Sequence, residues 1–371
     1  MVSHWTSTPA ISLGIEEKEW LLSLGERMKT RVVGQDLAVD AVADAILRSR
    51  VGLCQTRQVI GLFLFVGLTG VGKSELARAL AEQLFGNENL LIQINMSDYV
   101  ERESVSQLVG SIPRYAGHIH GDNLIEALRT MPHGVVLFDK VEKVSSSVLQ
   151  ALIQVFYRGY LIDGQGRMVD FTNMVIIMTS YVGAKHILAP LNFQTTMQRA
   201  QERVMVEVRR HFRPELLDRL DDVIIFNFLS PKRLGKVARL HLRDVASHLA
   251  ERGVALSVSE DALDLVAAMA YHPEFGAKPV KFWLQKNVVT KLSKMLIRDE
   301  IDENSTIYID VMPVPENEDL SCNVRVKLSQ KEDQDLLKVW PQSPLAVIIF
   351  IGIWRVLVGQ PLARKSGNTY V

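Results

Sequence analysis

The stretch from Gly67 to Ser74 reads GLTGVGKS and matches the pattern G-x-x-x-x-G-K-[ST]. A short apolar run bounded by glycines, GLFLFVG at 61–67, precedes it and is typical of a strand buried on both faces. Good helix formers follow in KSELARALAEQLFG, which ends in a glycine. This order of strand, loop and helix predicts a phosphate-binding loop. Its residues are Gly67, Leu68, Thr69, Gly70, Val71, Gly72, Lys73 and Ser74.

The residue types in this loop suit the phosphates of ATP. Glycines let backbone N–H groups curl around an anion, and the positive end of the helix that starts near Gly72 points at it. We expect the Lys73 ammonium to reach the β- and γ-phosphates and the Ser74 hydroxyl to bind Mg²⁺. The alternative is a glycine-rich turn ahead of an ordinary helix, which the preceding strand disfavours.

A second signal lies in VVLFDKVEK, residues 135–143, where an apolar run ends in Asp139. In nucleotide-binding proteins, an aspartate in this setting commonly supplies the magnesium side of the site. Asp139 would then share Mg²⁺ with Ser74, and its alternative role is that of a helix-capping aspartate. Lys140 follows, where a second acid is often found. A protonated lysine has no lone pair with which to accept a proton.

Apolar runs of strand length alternate with helical patterns over the first 230 residues. The strand candidates are 61–67, 90–96, 134–139, 174–180 and 222–228, and the helical patterns among them are 73–86, 103–109, 123–130, 145–157 and 198–212. This alternation predicts an α/β fold with a parallel sheet flanked by helices on both faces. The chain is then helix-rich from Pro231, and STIYIDVMP near its end predicts one edge strand, so a smaller helical domain follows.

These changes of character predict four segments. They are an N-terminal linker with helices at 1–53, a nucleotide-binding α/β subdomain at 54–230, a helical lid subdomain at 231–312 and a divergent tail at 313–371. The tail contains an apolar segment at 344–359, which is shorter than the roughly 20 residues that span a bilayer. A buried or adhesive segment is therefore favoured over a tail anchor.

Composition narrows the class of protein. Lys+Arg and Asp+Glu are balanced at 42 each, which argues against a polybasic binder of nucleic acid or of a membrane surface. Cys54 and Cys322 are too few for a disulfide framework. The N-terminus MVSHWTSTPA has no secretory signal pattern. A cytoplasmic protein is the expectation.

Several stretches resemble the Clp branch of the AAA+ ATPases, and in particular the second ATPase module of the ClpB-type heat-shock disaggregases, with the plant cytosolic members most similar. They are RVVGQDLAVDAVADAILRSRVGL, GLTGVGKSELARALAEQLF, YLIDGQGRMVDFTNMVIIMTS, VRRHFRPELLDRL and VVTKLSKMLIRDEIDEN. The resemblance covers roughly residues 1–312. It implies an AAA+ module with a lid subdomain, ATP and Mg²⁺, a homo- or hetero-hexamer of Clp subunits, and unfolded or aggregated polypeptide as a partner under heat stress.

The resemblance also implies roles for single residues. Arg219, in FRPELLDRLDD, matches the arginine finger that reaches the nucleotide of a neighbouring subunit; its alternative is a surface ion pair with Asp221 or Asp222. Tyr115, in PRYAGHIHG, matches the aromatic pore-loop residue that grips polypeptide, and its alternative is an ordinary loop tyrosine. Residues 159–167 resemble the second pore loop.

Three positions depart from the family pattern. Lys140 stands where the family has the catalytic glutamate, Tyr181 where it has the sensor asparagine, and Lys278 where it has a sensor arginine. Replacing arginine by lysine keeps the charge but loses the planar fork for a bidentate phosphate contact. Lys278 is nonetheless expected to contact the nucleotide.

Two function hypotheses follow. The first is an ATP-binding chaperone module of the ClpB type, in which Lys140 and Tyr181 impair hydrolysis. The second is a catalytically degenerate interaction subunit that joins hexamers of intact relatives and modulates them. A fragment that folds poorly without further domains is a third, weaker interpretation. Glu142 is the nearest spare acid, but the family pattern already has an acid there, so it is not expected to replace the missing base.

Overall fold

A computed structural model of the chain describes residues 15–51, 59–100, 124–162, 168–192, 196–301, 305–311 and 324–329. The chain forms two compact units, and each is described by itself. Unit 1 is Met1–Leu240 with Ala267–Phe282, and unit 2 is His241–Val266 with Trp283–Val371. The domain boundaries expected at 53, 230 and 312 remain predictions.

Unit 1 is built on a five-stranded parallel sheet. Its strands are β1 (Gly61–Val66), β2 (Leu91–Asn95), β3 (Gly134–Asp139), β6 (Met174–Ser180) and β7 (Asp222–Ile225), in the order β2-β3-β6-β1-β7. The three central strands β3, β6 and β1 consist almost wholly of buried residues, which explains their continuous apolar sequences. A separate antiparallel pair joins β4 (Tyr160–Ile162) to β5 (Met168–Asp170).

Helices cover this sheet. They are α1 (Ile15–Leu22), α2 (Leu24–Arg31), α3 (Asp36–Arg50), α4 (Lys73–Phe85), α5 (Leu124–Thr130), α6 (Ser146–Arg158), α7 (Met197–His211) and α8 (Pro214–Leu217). In α4 the buried face carries Leu76, Leu80 and Leu84, at helical spacing. Gly86 ends this helix in the left-handed conformation at φ 75°, and its N–H donates to the Glu82 carbonyl. The predicted α/β fold with helices flanking a parallel sheet is therefore confirmed.

Unit 2 takes residues from several consecutive elements. These are α9 (Pro231–Ala250), β8 (Ala255–Val258), α10 (Glu260–Met269), α11 (Lys278–Leu284), a π-helical stretch (Gln285–Val289), α12 (Thr290–Ile297), β9 (Thr306–Val311) and β10 (Val324–Ser329). Strand β9 lies between β8, to which it is parallel, and β10, to which it is antiparallel. The expectation of one edge strand is wrong, because β9 is the middle strand of three.

The sequence interpretation missed β8 because this strand follows α9 almost directly. Gly253 lies at φ 74°, which breaks the helix, and four residues of alternating exposure then pair with β9. So short a strand carries little periodic signal of its own, and only its pairing with a distant segment defines it.

Most predicted elements of unit 1 lie where their patterns placed them. Strands β3 and β6 have the predicted bounds, whereas the helix expected at 103–109 and the apolar segment at 344–359 lie outside the described residues. Across the described ranges, no helix is both long enough and apolar enough to cross a bilayer.

Candidate functional site

The candidate site lies at the carboxyl edge of the unit 1 sheet. Strand β6 lies between β1 and β3, with Val66 opposite Ser180 and Phe138 opposite Met178. The residues that follow these strands therefore meet at one edge, which is where open parallel sheets bind ligands. They belong to the phosphate loop after β1, to the Asp139–Lys140 corner of β3, and to Tyr181 after β6.

The phosphate loop has the backbone shape that its glycines predict. Gly70 lies at φ 70° and Gly72 at φ 111°, both in the left-handed region that favours glycine. Gly72 has no side chain with which to cap α4, so the first N–H groups of the helix receive no side-chain hydrogen bond from it. Donors so arranged fit the phosphates of a nucleotide.

A second backbone segment of unit 1 rests on the tip of this loop. The N–H of Ala277 donates to the Gly70 carbonyl at 2.8 Å. A Cβ atom added to Gly70 would lie 2.2 Å from the Phe275 carbonyl oxygen, so only glycine permits this approach. The contact places Lys278 beside the loop, and its charge contributes to lowering the pKa of Lys73. Sequence reasoning missed the contact, because it joins two segments far apart in the chain.

A buried glutamine is hydrogen-bonded to the backbone of the phosphate loop. Gln35 is 3% exposed, and its side-chain amide donates to the carbonyls of Val71 at 3.0 Å and Asn227 at 2.9 Å. Its Oε1 accepts the Asn227 N–H at 3.2 Å. Sequence reasoning also missed this residue, although a polar amide among the apolar residues of RVVGQDLAV was a usable signal.

Lys73 lies inside the cradle. Its ammonium donates to the carbonyls of Gly67 at 2.7 Å and Leu68 at 2.6 Å, and the residue is only 5% exposed. Burial lowers the pKa of Lys73 to about 7, against the opposing effect of the Asp139 and Glu142 carboxylates. A phosphate would add further negative charge beside this buried cation.

Tyr181 lies over that cation. The Lys73 Nζ is 4.2 Å from the centroid of the Tyr181 ring, which is a cation–π distance. Burial raises the pKa of the Tyr181 phenol, and the Thr69 side chain, which opposes this rise, is near its hydroxyl. Tyr181 is thus in direct contact with Lys73 of the phosphate loop.

Asp139 is held by a threonine from the neighbouring strand. The Thr179 hydroxyl donates to Asp139 Oδ1, and it accepts the backbone N–H of Lys140 at 3.1 Å. Thr179 is buried, and sequence reasoning did not single it out. The arrangement fixes the carboxylate near Lys73, where it fits the predicted magnesium site with Ser74. Serine and aspartate oxygens are suitable ligands for that ion.

Lys140 adopts an unusual backbone conformation and turns its side chain away from the loop. Its φ of 63° lies in the left-handed region, which costs a non-glycine residue on the order of 1 kcal/mol. Its ammonium lies 3.5 Å from Asn95 Oδ1, at the end of β2. Strand β2 is on the opposite side of β3 from β6 and β1. The cation is therefore directed away from the phosphate loop.

Glu142 brings a second carboxylate to this corner. Its Oε2 is buried and has no hydrogen-bond partner within the described part of the chain. Its charge acts on both Lys73 and Tyr181, which places it near them. A buried carboxylate oxygen usually has a hydrogen-bond partner. Mg²⁺ or a water molecule that enters with a bound nucleotide would provide one.

Arg219 lies at the other edge of the sheet. It precedes β7 near the level of Leu62, whose backbone groups bond Asp221. Strand β1 runs from there to Gly67, a span of about 16 Å at the usual strand rise. The Arg219 Nε donates to the Phe156 carbonyl at 3.0 Å, and the guanidinium lies 5.3 Å from the Tyr157 ring centroid. The structure does not bring Arg219 to its own phosphate loop.

The predicted pore-loop residue Tyr115 lies outside the described residues. The segment that resembles the second pore loop is described in part. Its flanks form β4 and β5, which pair antiparallel from Tyr160 opposite Asp170 to Ile162 opposite Met168, and residues 163–167 lie outside the described ranges. The roles of both segments remain predictions.

Comparison with protein families finds two matches along the chain. Residues 58–223 match the family described as AAA domain (Cdc48 subfamily), which covers the central sheet and the candidate site. Residues 229–309 match the family described as the C-terminal, D2-small domain of ClpB protein. The two matched regions follow each other in the order expected of one module.

Individual relatives agree with these matches. Chaperone protein ClpB 1 of Thermosynechococcus vestitus is 42% identical over 89% of this chain and 37% of its own length. Heat shock protein 100 of Trypanosoma brucei brucei is 40% identical over 84% of this chain and 36% of its own. A closed-state cryo-EM reconstruction of Hsp104 with ATPγS and FITC-casein matches 87% of this chain and 54% of that one, with a TM-score of 0.73 and 33% identity. The chain thus spans about a third of the curated relatives it matches.

Proposed function

Because the chain belongs to the ClpB-type AAA+ heat-shock disaggregase family, we propose that it binds ATP with Mg²⁺ and hydrolyses it slowly or not at all. One observation carries this proposal. The phosphate loop keeps its backbone cradle and Lys73, whereas the residue after Asp139 is Lys140, whose ammonium is directed toward Asn95. Binding would therefore depend on a part of the site that keeps the expected residues, and hydrolysis on a part in which an expected residue is replaced.

Binding would rest on the phosphate loop, on two magnesium ligands and on a neighbouring lysine. Backbone N–H groups at the start of α4 and the Lys73 ammonium would hold the phosphates, and Ser74 with Asp139 would hold Mg²⁺. Lys278 lies beside the loop and would add a positive charge near the phosphates. Bound Mg²⁺ would offset part of the phosphate charge.

Hydrolysis requires a group that takes a proton from the attacking water. Such a general base typically contributes about 10²–10⁴-fold in rate. A protonated lysine cannot accept that proton, and the Lys140 ammonium is directed away from the phosphate loop. Tyr181 brings a phenol where an amide would position the water, and burial keeps its pKa above the ordinary value, so it remains a neutral phenol at pH 7. Slow turnover follows from both positions.

A chaperone role in protein disaggregation under heat stress, within a homo- or hetero-hexamer, is the wider proposal. Arg219 supports it, because the part of β1 between its level and the phosphate loop is about 16 Å long, and a position so far along the sheet suits a role toward the nucleotide of a neighbouring subunit. Its contacts with Phe156 and Tyr157 hold it in a defined orientation at that edge. Tyr115 would contact unfolded polypeptide. A cytoplasmic location remains a prediction.

Equilibrium titration with a fluorescent ATP analogue and Mg²⁺ tests the binding half of this proposal. The wild-type chain should bind the analogue saturably, and Lys73→Ala should lose most of that affinity. Radiolabelled ATP tests the other half in parallel, with an intact ClpB as the reference. Turnover equal to that of the reference would contradict impaired hydrolysis, and failure of the wild type to bind would contradict the whole proposal.

A second candidate function is a degenerate subunit that joins intact relatives and modulates them. Lys140 favours it, because a subunit that retains ATP without turnover could still contribute Arg219 to a neighbour. Co-expression with a tagged full-length ClpB, followed by affinity purification and measurement of the ATPase rate of the mixture, tests this role. Recovery of the chain in the hexamer with an altered rate supports it. A chain that remains separate from the tagged protein contradicts it.

A further inference from the structure

The Lys73 ammonium has few donors left for a ligand. An ammonium carries three N–H donors. The carbonyls of Gly67 and Leu68 take two of them, at 2.7 and 2.6 Å. The Tyr181 ring lies over the same nitrogen, with its centroid 4.2 Å away. The ring therefore covers the ammonium on a side that a phosphate oxygen would need.

The far end of the tyrosine lies at the phosphate loop. The Thr69 side chain acts on the pKa of the phenol, so the Tyr181 side chain extends from the end of β6 across Lys73 toward Thr69. A ring in this position excludes a phosphate oxygen from the ammonium it covers. Tyr181 and the phosphates that reach Lys73 compete for one place.

The backbone that carries Tyr181 is fixed, so only the side chain can move aside. On one side, the Gly67 N–H donates to the Ser180 carbonyl at 3.2 Å. On the other, Gly183 lies at φ 71°, and a Cβ atom there would come within 3.1 Å of the Val204 Cα on α7. The ring itself is half-buried, and rotation about its side-chain torsions would uncover Lys73.

We propose that Tyr181 is a side-chain gate on the phosphate loop, which a nucleoside di- or triphosphate must displace in order to bind. The proposal rests on the nucleotide binding proposed above and adds the residue that opposes it. The apparent dissociation constant then equals the intrinsic one divided by the fraction of molecules whose gate is open. Adenosine monophosphate, whose single phosphate does not extend to Lys73, binds without displacing the ring.

Removal of the gate should therefore tighten binding instead of weakening it. With the ring gone, Tyr181→Ala is expected to bind ATP and ADP about 5- to 30-fold more tightly, from the usual strength of a half-buried cation–π contact. Tyr181→Phe keeps the ring but loses the hydroxyl that interacts with Thr69, and a smaller gain of about 2- to 5-fold is expected. Affinity for AMP should not change. A merely structural role for Tyr181 would give losses instead.

The experiment is a calorimetric titration of ATP, ADP and AMP, each with Mg²⁺, into the full chain. The variants are wild type, Tyr181→Phe, Tyr181→Ala and Tyr181→Ala with Lys73→Ala. Tyr308→Phe in unit 2 is the control for loss of a hydroxyl elsewhere and should behave as wild type. Tyr181→Phe also keeps the test valid if the alanine variant does not fold.

The possible results separate this proposal from the previous one. Tighter ATP and ADP binding by the Tyr181 variants, lost again with Lys73→Ala, supports the gate. Nucleotide binding by Tyr181→Ala alone supports a gate that stays shut, and overturns nucleotide binding by the wild type. Equal or weaker binding by the Tyr181 variants than by the wild type overturns the gate and leaves the proposed function standing. If no variant binds nucleotide, both proposals are wrong.

Discussion

The phosphate loop and the two positions after β3 and β6 lie at the same edge of one sheet, yet they depend on the sequence in different ways. The loop acts mainly through backbone N–H groups, whose directions are set by glycines at positive φ and by contacts with Gln35 and Ala277. The other two positions would act through single side chains. Backbone N–H groups remain after most side-chain substitutions, whereas a function carried by one side chain, such as the proton acceptor proposed to be lost at residue 140, ends with a single substitution.

The comparison explains how one site could retain its ligand while losing its chemistry. Thr179 still holds Asp139, and Lys73 still lies within the cradle. The functions proposed as lost belong to Lys140 and Tyr181, whose side chains are directed toward Asn95 and Thr69. The two regions can therefore be altered separately by mutation.

The largest expected effect comes from restoring the second region. A Lys140→Glu, Tyr181→Asn double variant should raise ATP turnover by about 10²–10⁴-fold, because a carboxylate can accept the proton of the attacking water. Steady-state hydrolysis of radiolabelled ATP measures this rate. Lys143→Glu, an exposed lysine on the same turn, is the control for the change of charge. Unchanged turnover in the double variant would place the defect elsewhere.

A substitution in the phosphate loop should weaken ATP binding, and it should leave the positions of Lys140 and Tyr181 unchanged. Gly70→Ala would put a Cβ atom 2.2 Å from the Phe275 carbonyl oxygen, so the loop must distort. ATP affinity should fall by about 10- to 100-fold, from clash and backbone strain together. Gly86→Ala is the matched control, because Gly86 has a similar φ of 75° and nothing lies within 4 Å of its added Cβ atom. Equal losses in both variants would mean that strain alone is responsible.

Because Lys73 is buried, the free energy of unfolding should depend on pH. In the folded, nucleotide-free chain the pKa of Lys73 is about 7, lowered by burial from an ordinary 10.5. Between these values the unfolded chain holds a proton that the folded chain has released, so the folded state gains stability as pH rises. Below pH 7 both states are protonated and the dependence ends. In that range the folded state is destabilised by its buried, charged Lys73, and this destabilisation decreases only when Lys73 loses its proton at higher pH.

Urea unfolding of the wild type and of Lys73→Met measures this effect. From pH 7 to pH 9, the unfolding free energy of the wild type should rise relative to the variant by about 2 kcal/mol, at up to 1.36 kcal/mol per pH unit. The difference cancels the titration of other groups that the two chains share. A constant difference across this range would mean that Lys73 keeps an ordinary pKa.

The smallest effect on ATP affinity is expected from substitution of Gln35, whose side chain is bonded to the phosphate loop at Val71. Gln35→Glu removes the amide that donates to Val71 and Asn227, and should weaken ATP binding by about 3- to 10-fold. Gln201→Glu is the matched control, since Gln201 donates to the Asn227 side chain at 3.2 Å but is not bonded to the loop. A calorimetric titration of both variants would show whether the contact with Val71 matters. Equal affinities would remove Gln35 from the binding machinery.

Local sequence patterns were sufficient for the parts of the fold that local residues determine. The loop at 67–74 and strands β3 and β6 could be predicted, because glycine spacing and continuous apolar runs carry their own signal. Gln35, Thr179 and Ala277 could not, because each acts through a contact with a residue far away in the chain. Strand β8 was missed for the same reason. The resemblance predicted a departure from the family pattern at Tyr181, but the position of its ring over Lys73 required the structure.

The identity of the nucleotide that stays bound is the most direct test of binding without hydrolysis. Wild-type chain would be incubated with Mg²⁺ and ATP labelled in the α-phosphate, separated from free nucleotide at intervals, and the bound fraction resolved by thin-layer chromatography. We predict bound ATP that persists over hours, while the Lys140→Glu, Tyr181→Asn variant retains ADP. Bound ADP that accumulates equally fast in both proteins would contradict the account.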